Sequence, residues 1–186
     1  MTVHALEQLF TELTQGSFDR IGLKDPDLSP YVSALLLEFT TMDRLYRIRD
    51  AAGRPVDDVG EMLLEGDLRH RAASFERERI VRKHIGDYTL FFTGMFPEHV
   101  TALRTQARLE SFVDWIEMGR ESYRAVASFD LWPYAEEAPL FNKLAEHFDF
   151  LVVGLNLVRD DLARLSNERY ETARSLIEQT PGEPEP

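Results

Sequence analysis

Residues 77–96 read RERIVRKHIGDYTLFFTGMF, and this stretch decides the fold. It begins densely charged and ends almost wholly apolar, and Pro97 then prevents the same helix from continuing. At about 100° per residue, one stripe of this helix collects Ile80, His84, Tyr88, Phe91 and Met95. The stripe carries an imidazole toward the core, where a polar group without a partner costs about 1–3 kcal/mol.

Apolar periodicity on both sides of this stretch predicts further helices and no strand. The predicted helices cover about 3–14, 29–49, 57–65, 72–96, 98–105, 108–129 and 138–164, with an extension of the last to 176 left open. Six or seven helices, four of them long, predict an all-α, single-domain helical bundle over residues 1–178. An acidic, proline-rich tail over 179–186 is predicted to be disordered.

Composition excludes several classes of function. The 186 residues include no cysteine, which excludes disulfides, thiolate zinc sites, iron–sulfur clusters and cysteine nucleophiles. The net charge of −12 argues against nucleic acid and anionic membranes as partners. The first residues lack a basic and apolar leader, and the longest apolar stretches, 88–96 and 148–158, are shorter than the about 20 residues of a membrane span. We therefore expect a soluble, cytoplasmic protein.

Polar residues that helical wheels place inward are the candidates for chemistry. They come from three predicted helices and form a candidate ligand-binding set: Glu38, His84, Asp87, Tyr88 and His147. Two imidazoles and a carboxylate are suitable ligands for iron, manganese or zinc, so Glu38, His84 and His147 are a candidate metal set. The two histidines could also ligate haem iron axially, but they serve a non-haem site equally well, so haem ranks below it; a small organic ligand is the other possibility.

The sequence also allows a purely structural interpretation of the same residues. The Glu-x-x-His pairs of diiron bundles are absent, because Val81 and Leu144 stand three residues before the two histidines. The histidines would then hydrogen-bond within the core, and Glu38 would pair with an arginine such as Arg77. Gly86, Gly94 and Gly154 interrupt apolar helices, which indicates close approach either of a neighbouring helix or of a ligand.

A second hypothesis is a non-enzymatic interaction or regulatory protein. Its working surface would be a basic patch within 69–83, an anion or protein-partner site carried by Arg77, Arg79 and Arg82. Trp132 and Tyr134 are candidates for a partner contact or a homodimer interface. No glycine-rich phosphate loop, GxSxG elbow or HExxH motif occurs, so the sequence leaves enzymatic activity, including an oxidoreductase, undecided.

Overall fold

The computed structural model describes residues 3–67, 69–98, 100, 112–131 and 133–179. Within them the fold is all-α, as predicted, and the helical elements fit a single-domain bundle. The helices are α1 (Val3–Arg20), α2 (Leu28–Glu38), α3 (Met42–Leu45), α4 (Val59–Gly66), α5 (Phe75–Met95), α6 (Phe112–Ala127), α7 (Ala138–Glu146) and α8 (Phe148–Gln179). The predicted tail lies outside these residues except for Gln179, and most of the helix predicted at 98–105 lies outside them too.

Side-chain caps fix the starts of two helices in the middle of the chain. The Asp58 carboxylate accepts a hydrogen bond from the Glu61 backbone N–H at the start of α4. The Ser74 hydroxyl accepts one from the Arg77 backbone N–H at the start of α5. Each cap satisfies a backbone donor that the first helical turn leaves unpaired, which is why these helices begin where they do.

The predicted second helix, 29–49, is divided in the structure. It ends at Glu38, where the Thr40 hydroxyl donates to the Leu37 carbonyl at 2.6 Å and competes with the helical backbone. The short helix α3 follows, and the chain then forms a tight turn in which Asp50 accepts backbone hydrogen bonds and Gly53 has a φ of +76°. Beside this turn, Arg77 on α5 donates a hydrogen bond to the Arg49 backbone carbonyl.

The predicted last helix is also divided, at His147 between α7 and α8. The His147 N–H donates to the Lys143 carbonyl, and the Leu151 N–H donates to the His147 carbonyl, so backbone hydrogen bonding continues across the junction. The φ and ψ of −99° and 12° at His147 mark the local departure from helical geometry. The imidazole therefore stands at a helix junction and is half-buried rather than in the core.

The core is centred on α5, which packs against α4, α6 and α8. Three glycines sit where a side chain from another helix approaches the backbone. A Cβ on Gly86, Gly94 or Gly154 would lie within 2.5 Å of a side-chain atom of Tyr123, Leu155 or Phe18, respectively. These positions are thus occupied by neighbouring helices rather than by space for a ligand. Every helix in the described ranges is too short or too polar to cross a bilayer.

Candidate functional site

A buried carboxylate joins three helices in the middle of the bundle. Asp87 on α5 is 4% exposed, and its Oδ1 accepts hydrogen bonds from the hydroxyls of Tyr31 on α2 at 2.6 Å and Tyr123 on α6 at 2.8 Å. Its Oδ2 accepts from Lys83 Nζ at 2.6 Å, one helical turn earlier on α5. Gly86 makes this possible, because its missing side chain lets the Tyr123 ring lie against the α5 backbone.

Both tyrosines of this cluster are held in their neutral, donating form. Burial raises the pKa of the Tyr31 hydroxyl well above its usual value, and the negative charge of Asp87 raises it further. The same two causes, in the same order, raise the pKa of the Tyr123 hydroxyl. A phenol that donates to a carboxylate cannot readily lose its proton beside that charge. The cluster therefore holds Asp87 with three donors from three helices.

One turn before Asp87, the imidazole of His84 is buried without a full set of partners. It is 5% exposed, and its ring lies 5.9 Å from the ring centres of both Phe39 and Tyr88. Its Nε2 has no hydrogen-bond partner among the described residues.

Burial determines the charge of this imidazole. It lowers the pKa of His84 to about 4, and the positive charges of Arg47 and Lys83 act in the same direction. Asp87 opposes them, because its carboxylate favours the protonated ring. His84 is consequently neutral at pH 7, and its Nε2 is a buried polar atom without a partner among the described residues.

A polar cavity of about 140 Å³ opens beside this ring, and we call it the His84 cavity. Its lining residues are Glu38, Phe39, Arg47, Arg79, Ile80, Lys83, His84 and Asp87. Arg47 is exposed and Lys83 is partly exposed, whereas His84 and Asp87 are buried. The exposed side chains therefore surround the entrance and the buried ones form the floor. The volume is close to the about 150 Å³ that accommodates benzene in a protein interior.

The third cationic side chain of the cavity, Arg79, is held rigidly. It is 8% exposed, it forms an ion pair with Glu137, and its guanidinium lies 4.1 Å from the centre of the Tyr134 ring. Its Nε has no hydrogen-bond partner in the described part of the chain. Stacking and ion pairing fix a guanidinium in one orientation, so this cavity has a preorganised cationic wall.

The structure brings together three of the five predicted ligand-binding residues. Glu38, His84 and Asp87 all line the His84 cavity. Tyr88 is 3% exposed but is not among the lining residues, and its hydroxyl donates to the Asp57 backbone carbonyl at 3.3 Å. His147 does not line the cavity either, and its ring contacts Phe150 instead.

The predicted metal set of Glu38, His84 and His147 is not assembled, because His147 lies away from the cavity that holds the other two. Across the described ranges, no group of three or more histidine, aspartate and glutamate side chains is arranged to hold a metal ion. Glu38 pairs with Arg44 at 3.7 Å, rather than with Arg77 as the structural interpretation expected. Arg77 instead donates to the Arg49 backbone carbonyl.

The predicted basic patch is not one exposed surface. Arg79 is buried in the ion pair with Glu137, while Arg77 and Arg82 are half-buried. The reason is that α5 packs against neighbours over much of its circumference, so one helix face cannot remain a continuous charged strip. Tyr134 is covered by Arg79, and Trp132 lies outside the described residues.

Three residues of the site escaped the sequence-based search: Tyr31, Arg47 and Tyr123. Lys83 entered it only as the end of the basic segment 69–83, and not as a partner of Asp87. The spacing of Lys83 and Asp87 is the one available signal, since oppositely charged residues four apart on a helix face each other. The tyrosines and Arg47 carry no such signal, because they reach the site only through contacts between distant segments.

Comparisons with known proteins give no relative. The chain matches no protein-family model, no curated protein and no solved structure. The function must therefore be inferred from the side chains of the site itself.

Proposed function

We propose that this protein binds a small polar molecule in the His84 cavity. The observation that carries the proposal is the Nε2 atom of His84, which is buried and has no partner among the described residues, on a side chain that lines this cavity. Buried polar groups in folded proteins are nearly always paired, and an unpaired one costs about 1–3 kcal/mol. A ligand that reaches the floor of the cavity would supply the missing hydrogen bond.

The charges around the cavity favour a molecule over a metal ion. Three cationic side chains, Arg47, Arg79 and Lys83, line it and would repel a bare metal cation at short range. The carboxylate of Asp87 is already engaged by three donors, so it has little capacity left for a metal. Binding of iron, manganese or zinc, which the sequence allowed, is therefore the alternative that the experiment below must distinguish from binding of a small polar molecule.

The proposal can be tested by NMR on protein prepared without a histidine tag. Long-range ¹H–¹⁵N spectra resolve the imidazole rings, and a set of small cationic, anionic, neutral polar and apolar compounds is added in turn. At least one polar compound should shift the ring signals of His84 and leave those of His147 in place. His147 is an internal control, because it is half-buried and lies outside the cavity.

Two results would overturn the proposal. One is that no compound moves the His84 signals at millimolar concentration, or that the His147 signals always move with them. The other is near-stoichiometric iron, manganese or zinc in elemental analysis together with loss of that metal in His84→Gln, which would restore the metal hypothesis.

A pair of cavity-filling variants locates the binding. Ile80 lines the cavity, so Ile80→Phe should occupy part of its volume and abolish the His84 shifts. Ile116→Phe adds the same ring at a partly buried position of α6 that is not among the lining residues, and binding should persist. Binding that survives in a folded Ile80→Phe protein would place the ligand elsewhere.

A further inference from the structure

We infer that the ligand of the His84 cavity is a small oxyanion, such as a carboxylate or an inorganic phosphate. This inference rests on the proposed function and deepens it by naming the chemical class. Three lining residues carry it, Arg47, Arg79 and Lys83, whose side chains donate hydrogen bonds and cannot accept them. The cavity volume of about 140 Å³ limits the ligand to about the size of benzene, and acetate and phosphate are both smaller.

Arg79 provides the most buried of these donors. The residue is 8% exposed, and its guanidinium is held by the ion pair with Glu137 and by the Tyr134 ring. The ion pair uses Nη2, whereas Nε is buried and has no hydrogen-bond partner among the described residues. An arginine Nε–H can only donate, and a buried donor without an acceptor costs free energy. An acceptor atom at the floor of the cavity would satisfy it.

Lys83 and Arg47 add donors nearer to the solvent. The Lys83 ammonium gives one hydrogen bond, to Asp87 Oδ2 at 2.6 Å, which leaves two of its three N–H groups for a ligand. Its side chain is 31% exposed. Arg47 is exposed and forms no ion pair with any residue that the structure describes. An anion would therefore meet unused donors from the entrance of the cavity to its floor.

The two carboxylates that line the cavity are already engaged. Asp87 accepts hydrogen bonds from Lys83 and from two tyrosine hydroxyls, so both of its oxygens are in use. Glu38 lies 3.7 Å from Arg44. Arg47, in contrast, has no counterion among the described residues, and an oxyanion would supply one through charge-assisted hydrogen bonds. A cationic ligand would be repelled by the same side chain.

The His84 ring is compatible with an anion but does not select it. A neutral imidazole nitrogen donates in one tautomer and accepts in the other. Nε2 can therefore donate to an oxyanion directly, or accept from the O–H of a protonated phosphate. The chemical class follows instead from the arginine and lysine side chains, whose donor character is fixed.

Acetate and acetamide test the charge, because they have nearly the same size and shape and only acetate is an anion. NMR titrations at constant ionic strength follow the His84 ring and the arginine Nε–H signals. Acetate or inorganic phosphate should bind about tenfold more tightly than acetamide, as expected when charge-assisted hydrogen bonds replace neutral ones. Whichever anion binds more tightly identifies the oxyanion as a carboxylate or a phosphate.

The Nε–H signals locate the contact. The anion should move the Arg79 signal downfield, because an acceptor then faces this unpaired donor. The Arg54 signal should stay in place, since its Nε already donates to Asp50 at 2.8 Å and Arg54 does not line the cavity. An unmoved Arg79 signal, while acetate or phosphate shifts His84, would show that the anion does not reach this donor and would overturn the inference.

A matched pair of arginine variants tests the charge at the entrance. Arg47→Gln should weaken anion binding about tenfold and leave acetamide unchanged, because only the anion loses a charge contact. Arg124→Gln removes an exposed arginine of α6 that pairs with Glu121 and does not line the cavity, so anion affinity should not change. Both positions are on the surface, so neither variant should affect folding. Equal losses in the two variants, or no loss in either, would overturn the inference.

The outcomes separate this inference from the proposed function. The inference fails if acetamide binds as tightly as both anions, or if a cationic compound binds more tightly than they do. The proposed function then stands, because a polar compound still shifts His84. If no compound shifts His84, the proposed function and this inference fail together.

Discussion

Acid should destabilise this protein through His84, and the size of the effect follows from its burial. The pKa of this imidazole is about 4 in the folded protein, against a usual value of 6.5. The folded state therefore binds its proton less readily than the unfolded state does. The free energy of unfolding should be unaffected by His84 above pH 6.5 and should fall as the pH decreases toward 4. The total loss is about 3 kcal/mol, since one pKa unit corresponds to about 1.4 kcal/mol.

The test compares wild-type protein with His84→Gln in urea unfolding at several pH values between about 7.5 and 4.5. Acidic groups titrate in both proteins, so their contributions cancel in the difference between the two curves. That difference should change by about 2–3 kcal/mol across the range, with the wild type losing more stability. His4→Gln is the control for the loss of a histidine, because it removes an imidazole that is 89% exposed.

Parallel curves for wild type and His84→Gln would refute the reasoning. So would a His84 pKa of 6.5 or above, measured by NMR in the folded protein. Three charges face this ring: Asp87 raises its pKa, whereas Arg47 and Lys83 lower it. Either result would mean that the ring is better solvated or better paired than the structure indicates, and the unpaired Nε2 would no longer support the proposed site.

Other predictions concern the packing around Asp87. Gly86→Ala should destabilise the protein by about 1–3 kcal/mol in urea unfolding, because its Cβ would lie 2.5 Å from the Tyr123 ring. Gly16→Ala, in the open on α1, should instead stabilise it by up to about 1 kcal/mol, and equal effects would refute the packing argument. Asp87→Asn should cost about 3–5 kcal/mol by leaving buried donors without their anion, while the exposed Asp160→Asn should change little; a similar loss in both would contradict this. Tyr123→Phe should leave the alkaline ultraviolet titration of the folded protein unchanged, because burial and Asp87 raise the pKa of this hydroxyl; a smaller amplitude would show that it ionises normally.

Much of the fold was predictable because helical periodicity is a local property. The stripe on residues 77–96 predicted α5, and both His84 and Tyr88 on that stripe are buried. The breaks at Glu38 and His147 were not predicted, since the apolar pattern continues across them. The first of these helices ends where the Thr40 hydroxyl competes for the Leu37 backbone carbonyl, and apolar periodicity gives no signal of such competition.

The candidate site was predictable only in part, for a geometric reason. A helical wheel gives the direction of a side chain but neither its depth along the bundle nor the helix that it meets. It therefore grouped His147 with His84, although the two rings lie in different surroundings. The helical wheel also missed Arg47, because this residue lies in the segment after the short helix α3 and contributes to the cavity from there.

The sequence by itself determined the all-α class, the central helix and the inward direction of its imidazole, since these depend on residues a few positions apart. The tertiary structure alone decided that Tyr31 and Tyr123 donate to the same oxygen of Asp87, and that Gly86 leaves room for the Tyr123 ring. It also decided that Arg47, Arg79 and Lys83 line the cavity that holds His84, whose Nε2 is unpaired. Those features join segments separated by tens of residues, and the packing of whole helices fixes their positions.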